Sequence, residues 1–197
     1  MKLTLLSTCA FSLLIIRAIA LPGSQREQFP QYEPGSTKVA VLPAVDLRGN
    51  QGSKESAGSC RILNNELSAR FRQRGFVVVP PEDVAQAMTR LNADLADDEQ
   101  RKRARMFEIG KAANADLVVF ATIESVEQSG GSMLYYGMSN GRQVATIKIW
   151  LLDVGAGKPL LSAQARDGKG NDNSGALKSA VGDALDGFLR PYKKVKR

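Results

Sequence analysis

A chain of 197 residues, 43% of them hydrophobic, can bury one sizeable core, and its length sets the expectation of a single globular domain. Lysine and arginine number 27 against 20 aspartates and glutamates, a formal charge of +7, so this is a mildly basic globular chain and not a charge-driven tail. Histidine is absent, which excludes His-ligated metals and any Ser-His or Cys-His pair built within the chain, and no cofactor is expected.

The first residues have the order of an export signal. Lys2 precedes an apolar run from Leu3 to Ile16, and Ala18 and Ala20 place small residues at the two positions a signal peptidase reads. A signal peptide over residues 1–20 is therefore expected, with cleavage after Ala20 and delivery to the periplasm; the alternative is an uncleaved N-terminal anchor. The apolar run is short for a bilayer span, and no later segment is long enough to be one. Cys9 lies inside that run, next to Thr8, and is not expected to carry a lipid. Cys60 then has no intrachain partner; its spacing with Leu63, Leu67 and Phe71 suits a buried free thiol on a helix, and the alternative is a bond between two chains.

Residues 21–37, broken by Pro30, Pro34 and Gly35, read as a linker. Residues 38–190 read as one α/β domain. It opens with a strand from Lys38 to Pro43, followed by a loop from Asp46 to Gly58. Ser59 is expected to cap a helix that runs to Arg74, because Cys60, Leu63, Leu67 and Phe71 recur at helical spacing; Gly75 ends it. A short β-rich run, Phe76 to Val79, leads into a helix begun by Pro81, Glu82 and Asp83 and carrying Val84, Ala87, Met88 and Leu91. A further helix is expected over Asp98 to Asn114, with Phe107, Gly110 and Ala113 or Asn114 along one side. Its basic cluster (Arg101, Lys102, Arg103, Arg105) is offset by Asp97, Asp98, Glu99 and Glu108 and lacks interleaved aromatics, so it reads as solvated surface and not as a nucleic-acid contact.

Ala115 to Asp167 organises the rest. The run from Leu117 to Ala121 is almost continuously apolar and suits a strand covered on both faces. From Val144 to Asp153, Ala145, Ile147, Ile149 and Leu151 alternate with Thr146 and Lys148, as in a half-buried strand, and Leu160 to Asp167 gives a third. Glycine-rich turns separate them. After a loop over Lys169 to Gly175, Leu177, Val181, Leu185 and Phe188 or Leu189 mark a last helix, in which Gly182 and Gly187 permit close packing on the sheet. Residues 191–197 form a basic tail that either stays in solvent or grazes an anionic surface. The expected fold is α/β: a mixed sheet with an antiparallel C-terminal meander and helices packed on it.

The segment Gly49 to Ser56 follows a first strand but lacks the spacing that wraps backbone donors around a phosphate. Asp46, Glu124, Glu127 and Asp153 lie near strand ends, yet nothing holds two of them at the separation an acid/base pair needs, and no enzyme is expected. The loop from Ser129 to Gly141 is the more suggestive stretch. It crowds Met133, Leu134, Tyr135, Tyr136 and Met138 between glycines, residues that either anchor an interface or fold back on the core. Arg48 and Asn50, on the loop after the first strand, are either presented to a protein or glycan partner or belong to a plain connector. With Tyr135 and Tyr136, Arg142 could also stack on or bond to sugars.

The order of elements resembles a group of bacterial envelope proteins: the curli secretion component family, the peptidoglycan-synthase activator lipoproteins and the N-terminal domain of the Tol-Pal β-propeller protein. The matching residues are the opening strand Lys38 to Pro43, the helix with Leu63 to Leu67, the run Phe76 to Val79 and the stretch Ile109 to Ile123. The alternating strand, Leu-x-Asp and glycine turn between Val144 and Leu160 complete the pattern. The resemblance implies a non-enzymatic α/β periplasmic domain, several of whose relatives are outer-membrane lipoproteins that oligomerise or touch a synthase. The chain departs from it in two ways. The segment from Glu127 to Val144 is too short and Gly/Ser-rich to supply membrane hairpins, which argues against a pore, and no cysteine follows the signal directly, which favours a soluble periplasmic form. The expected function is protein-protein docking in cell-envelope assembly or secretion, on an envelope protein or a second copy, with peripheral membrane contact at most; the alternative is a module for cell-wall glycan or another envelope polymer.

Overall fold

The computed structural model describes residues 29–49, 52–129, 142–170 and 172–195; the expected signal peptide lies outside them. The chain divides into two units, residues 1–30 and 31–197, and the strands and helices among the described residues belong to the second. Its elements in order are β1 (Lys38–Val41), β2 (Val45–Asp46), α1 (Lys54–Gln73), β3 (Val77–Val78), α2 (Pro81–Arg90) and α3 (Arg103–Ala112). They continue with β4 (Leu117–Ser129), β5 (Arg142–Asp153), β6 (Lys158–Gly170) and α4 (Asn173–Leu189). The strands form one mixed sheet in the order β3-β1-β4-β5-β6, with β2 pairing on β4 beyond β1. β1 runs parallel to β3 and β4, β2 is parallel to β4, and β4, β5 and β6 form the antiparallel meander.

β4 is central because its first residues are apolar on both faces: Leu117, Val118, Val119, Phe120 and Ala121 are all fully buried. Alternation sends Val118 and Phe120 to one layer, where Ala40, Leu42, Leu152 and Val154 meet Val84 and Ala87 of α2 and Met106 and Ile109 of α3. α1 and α4 pack on each other and on the sheet, burying Leu63, Leu67 and Phe71 from α1 and Leu177, Val181, Leu185 and Phe188 from α4. The expected α/β fold, with helices on a mixed sheet and a C-terminal meander, is the observed one.

The boundaries differ for local reasons. α1 starts before Ser59: Ser53 is its N-cap, accepting a hydrogen bond from the Ser56 N–H at 3.0 Å, and Ser59 is buried within the helix. Its first turn is polar, so apolar periodicity could not report it. α3 begins at Arg103, since the turn over Asp97–Arg101 is held by the Arg101 guanidinium on the Leu95 and Ala96 carbonyls. Gly182 packs beneath the Arg70 guanidinium of α1, not on the sheet, and Gly187 has open space around it. Cys60 is only half-buried. The expected linker and basic tail are partly built into the domain: Tyr32 and Tyr192 join an aromatic cluster with Phe71, Phe76 and Phe188.

Candidate functional site

The meander outlasts the parallel part of the sheet. β2 pairs with β4 only as far as Ile123, whose carbonyl accepts from the Leu47 N–H at 2.9 Å. Past a register shift between Ile123 and Ser125, β4 pairs with β5 alone, and the ladder ends on Ser129 and Arg142. The result is an antiparallel arm projecting beyond β1, β2 and β3. β6 closes the sheet on this side, so no strand among the described residues pairs with its outer edge. That edge is 13 residues long, and an unpaired edge of this length presents alternating N–H and C=O groups to any added strand.

Arg142 stands exposed at the end of the arm. Met133, Leu134, Tyr135, Tyr136 and Met138, which the sequence nominates as anchors, belong to the connection between Ser129 and Arg142 and lie outside the described residues, as does Asn50. Arg48 is described and is committed to its own domain. Its Nε and Nη2 donate to the two oxygens of Asp46 at 2.9 and 2.6 Å, Nη2 also reaches the Ser59 hydroxyl at 3.3 Å, and Glu55 lies 3.8 Å away. Asp46 is only 2% exposed. Burial alone would push its carboxyl up, but the Arg48 side-chain and backbone hydrogen bonds, the Arg48 charge and the Ser56 hydroxyl together hold it below the ordinary carboxylate range. The same pairing raises Arg48, so both stay charged. Burial, with the Asp46 charge beside it, pushes the neighbouring Cys60 thiol up, away from the thiolate a reactive cysteine needs.

Two features escaped the sequence reading. Trp150 stacks on Phe120, ring centroids 5.4 Å apart, and Lys148 Nζ lies 5.0 Å above the indole. The signal was available, because Lys148 and Trp150 are two residues apart on one strand and so share a face. The second is a polar cleft of about 380 Å³ between α1 and α4, lined by Arg70, Ser179, Gly182, Asp183 and Asp186. An added Cβ at Gly182 would come within 3.0 Å of Arg70 Nη2, so the glycine lets the guanidinium lie flat against α4. Among the described residues no group of three or more Cys, Asp or Glu side chains could hold a metal ion, and no helix is long and apolar enough to cross a membrane.

No protein-family model matches the sequence, and a search of curated proteins finds no match. Solved structures do match. A point variant of the PelC dodecamer from Paraburkholderia phytofirmans is 18% identical, with a TM-score of 0.51 over 82% of this chain and 94% of that one. The PelC dodecamer from the same organism is 17% identical, with a TM-score of 0.50 over 85% and 96%. Lipoprotein GNA1162 from Neisseria meningitidis is 19% identical, with a TM-score of 0.50 over 78% and 99%. The chain thus spans nearly the whole of each, and at these identities the likeness establishes a shared fold: this protein has the α/β architecture of PelC and of lipoprotein GNA1162.

Proposed function

We propose that the chain is exported through residues 1–20 and works in the periplasm as a non-enzymatic accessory protein that docks on other proteins in cell-envelope assembly or secretion. The observation that carries this reading is the antiparallel arm: a long β6 edge with no partner strand among the described residues, next to an arm whose connecting segment holds Met133, Leu134, Tyr135, Tyr136 and Met138 beside Arg142. Main-chain pairing on such an edge supplies affinity, and large side chains beside it supply selectivity. The fold shared with the PelC dodecamer supports a second copy of the chain as one partner. Outer-membrane association and kinship with the envelope families that the sequence resembles belong to the same proposal.

The polar cleft between α1 and α4 favours a second reading, a module for cell-wall glycan, since hydroxyl-rich ligands take paired carboxylate and guanidinium partners. One experiment separates the two. The double substitution Tyr135→Ala and Tyr136→Ala is expected to abolish cross-linking to envelope proteins or to a second copy while the melting curve stays unchanged. Unchanged cross-linking rejects these tyrosines as anchors. Sedimentation of the unaltered protein with isolated cell-wall sacculi, in the absence of any protein cross-link, transfers the assignment to glycan.

A further inference from the structure

The end of the sheet opposite the arm carries a surface of its own. β1, β3 and β4 all begin there: Lys38 pairs with Val77, Val39 with Leu117, and Leu117 with Asp153 of β5. Three chain segments meet at Gly75, where an added Cβ would lie 3.3 Å from the Pro34 side chain and 3.2 Å from that of Val195. The Tyr32 N–H donates to the Tyr192 hydroxyl at 3.1 Å, and the Val195 N–H donates to the Gln73 carbonyl at 2.9 Å. The Arg74 guanidinium donates to the Tyr192 carbonyl.

These bonds gather Lys38 at the start of β1, Arg72 near the end of α1, and Lys193 and Lys194 beyond α4 around one end of the domain, all exposed. Val77 and Val195 stand among them, 42% and 58% exposed, and are two of the three large hydrophobic residues exposed among the described residues. The carboxylates at this end are engaged locally. Glu33 accepts from Ser36, Asp116 from the Lys38 backbone N–H, and Asp153 from the Tyr32 hydroxyl.

Cations surrounding a small apolar tip match an anionic lipid surface, where headgroup phosphates meet lysine and arginine and the apolar tip reaches the acyl boundary. A protein partner of ordinary interface size calls for a larger apolar patch than two valines. We infer that this end of the domain docks on anionic lipid headgroups through Arg72, Lys193 and Lys194, with Lys38 beside them and Val77 and Val195 entering the interface. Lipid docking at this end is independent of the arm. β4 spans 13 residues, about 40 Å, between the two surfaces, so a lipid-bound domain holds its arm away from the membrane.

Co-sedimentation of the full chain with vesicles tests this directly. Vesicles of phosphatidylcholine mixed with phosphatidylglycerol are expected to bind more protein than vesicles of phosphatidylcholine alone, and the difference is expected to shrink as salt rises. Replacing three cations near the surface (Arg72→Glu, Lys193→Glu, Lys194→Glu) is expected to weaken binding to the mixed vesicles by about 100-fold or more. Lys54→Glu with Arg61→Glu in the first half of α1 and Lys178→Glu near the start of α4, the same change in charge away from this surface, is the control and is expected to retain binding. Equal binding to both kinds of vesicle overturns the inference, and so does an equal loss in the control, which would mean that net charge alone is read. Should the triple variant not fold, Val195→Asp decides: weaker binding to the mixed vesicles supports the inference and unchanged binding overturns it.

Discussion

Asp46 is a carboxylate with almost no access to water, and Arg48 supplies the charge that makes its burial tolerable. Arg48→Met is therefore expected to lower the unfolding free energy by about 3 kcal/mol, measured by urea denaturation at neutral pH. The pH dependence gives an independent check. In the native protein the folded-state value of Asp46 is depressed, so its stabilisation is complete above the ordinary unfolded value of about 3.9 and is lost as pH falls through the folded value. In Arg48→Met the carboxyl has no counter-charge, so stability is expected instead to rise as pH falls toward about 4, because protonation neutralises it. Thr122 is the contrasting case. Its hydroxyl is fully buried in β4, with no hydrogen-bond partner among the described residues. Thr122→Val, which keeps the branched shape and removes the unsatisfied oxygen, is expected to raise the melting temperature; a fall would mean that the hydroxyl has a partner. Neither residue was readable at this level from sequence. Asp46 and Arg48 were visible as loop charges two residues apart, but the burial of Asp46 and the contacts of Arg48 with Ser59 and Glu55 depend on how β2 and the start of α1 come together.

At the scale of elements, helices were legible wherever one face was apolar. α2 follows its expected start at Pro81, and α4 buries the expected Leu177, Val181, Leu185, Phe188 and Leu189. They were illegible where polar caps and turns set the boundary, as at Ser53 and between Asp97 and Lys102. β2 has only two residues and no periodicity to detect; it exists because β4 offers Thr122 and Ile123 as partners. Gly110 illustrates how α3 sits on the sheet: an added Cβ would come within 2.4 Å of Val118 Cγ2 and 2.8 Å of Val154 Cγ2. Gly110→Ala improves helix propensity by about 1 kcal/mol but forces α3 off β4 and the β5–β6 turn. The packing loss is expected to dominate, lowering stability by about 1–3 kcal/mol in thermal or urea unfolding; a stabilised variant would show that α3 can shift freely.

For the whole molecule, the two proposed surfaces lie at the two ends of the long strands: the arm at one end of the sheet and the basic, valine-tipped surface at the other, separated by the length of β4. The candidate site was only partly legible. Arg142, anticipated with Tyr135 and Tyr136 as a sugar contact, is exposed on the arm, whereas Arg48, anticipated with Asn50 on the loop after the first strand, spends donors on Asp46. Met133 to Met138 were legible as composition, and their connection of β4 to β5 as topology. The lysines of residues 191–195 and the polar leader at 31–37 looked like separate, solvated ends; they are neighbours because Tyr32, Gly75, Tyr192 and Val195 bring three distant segments into contact. What the sequence determined by itself was the class of fold and the strands of its meander, since hydrophobic period and turn residues act between near neighbours along the chain. Which charges are buried, which edge has no partner strand among the described residues and which segments share a surface were decided only in the tertiary structure, because each depends on atoms brought together across a long separation in sequence, and no local pattern encodes that distance.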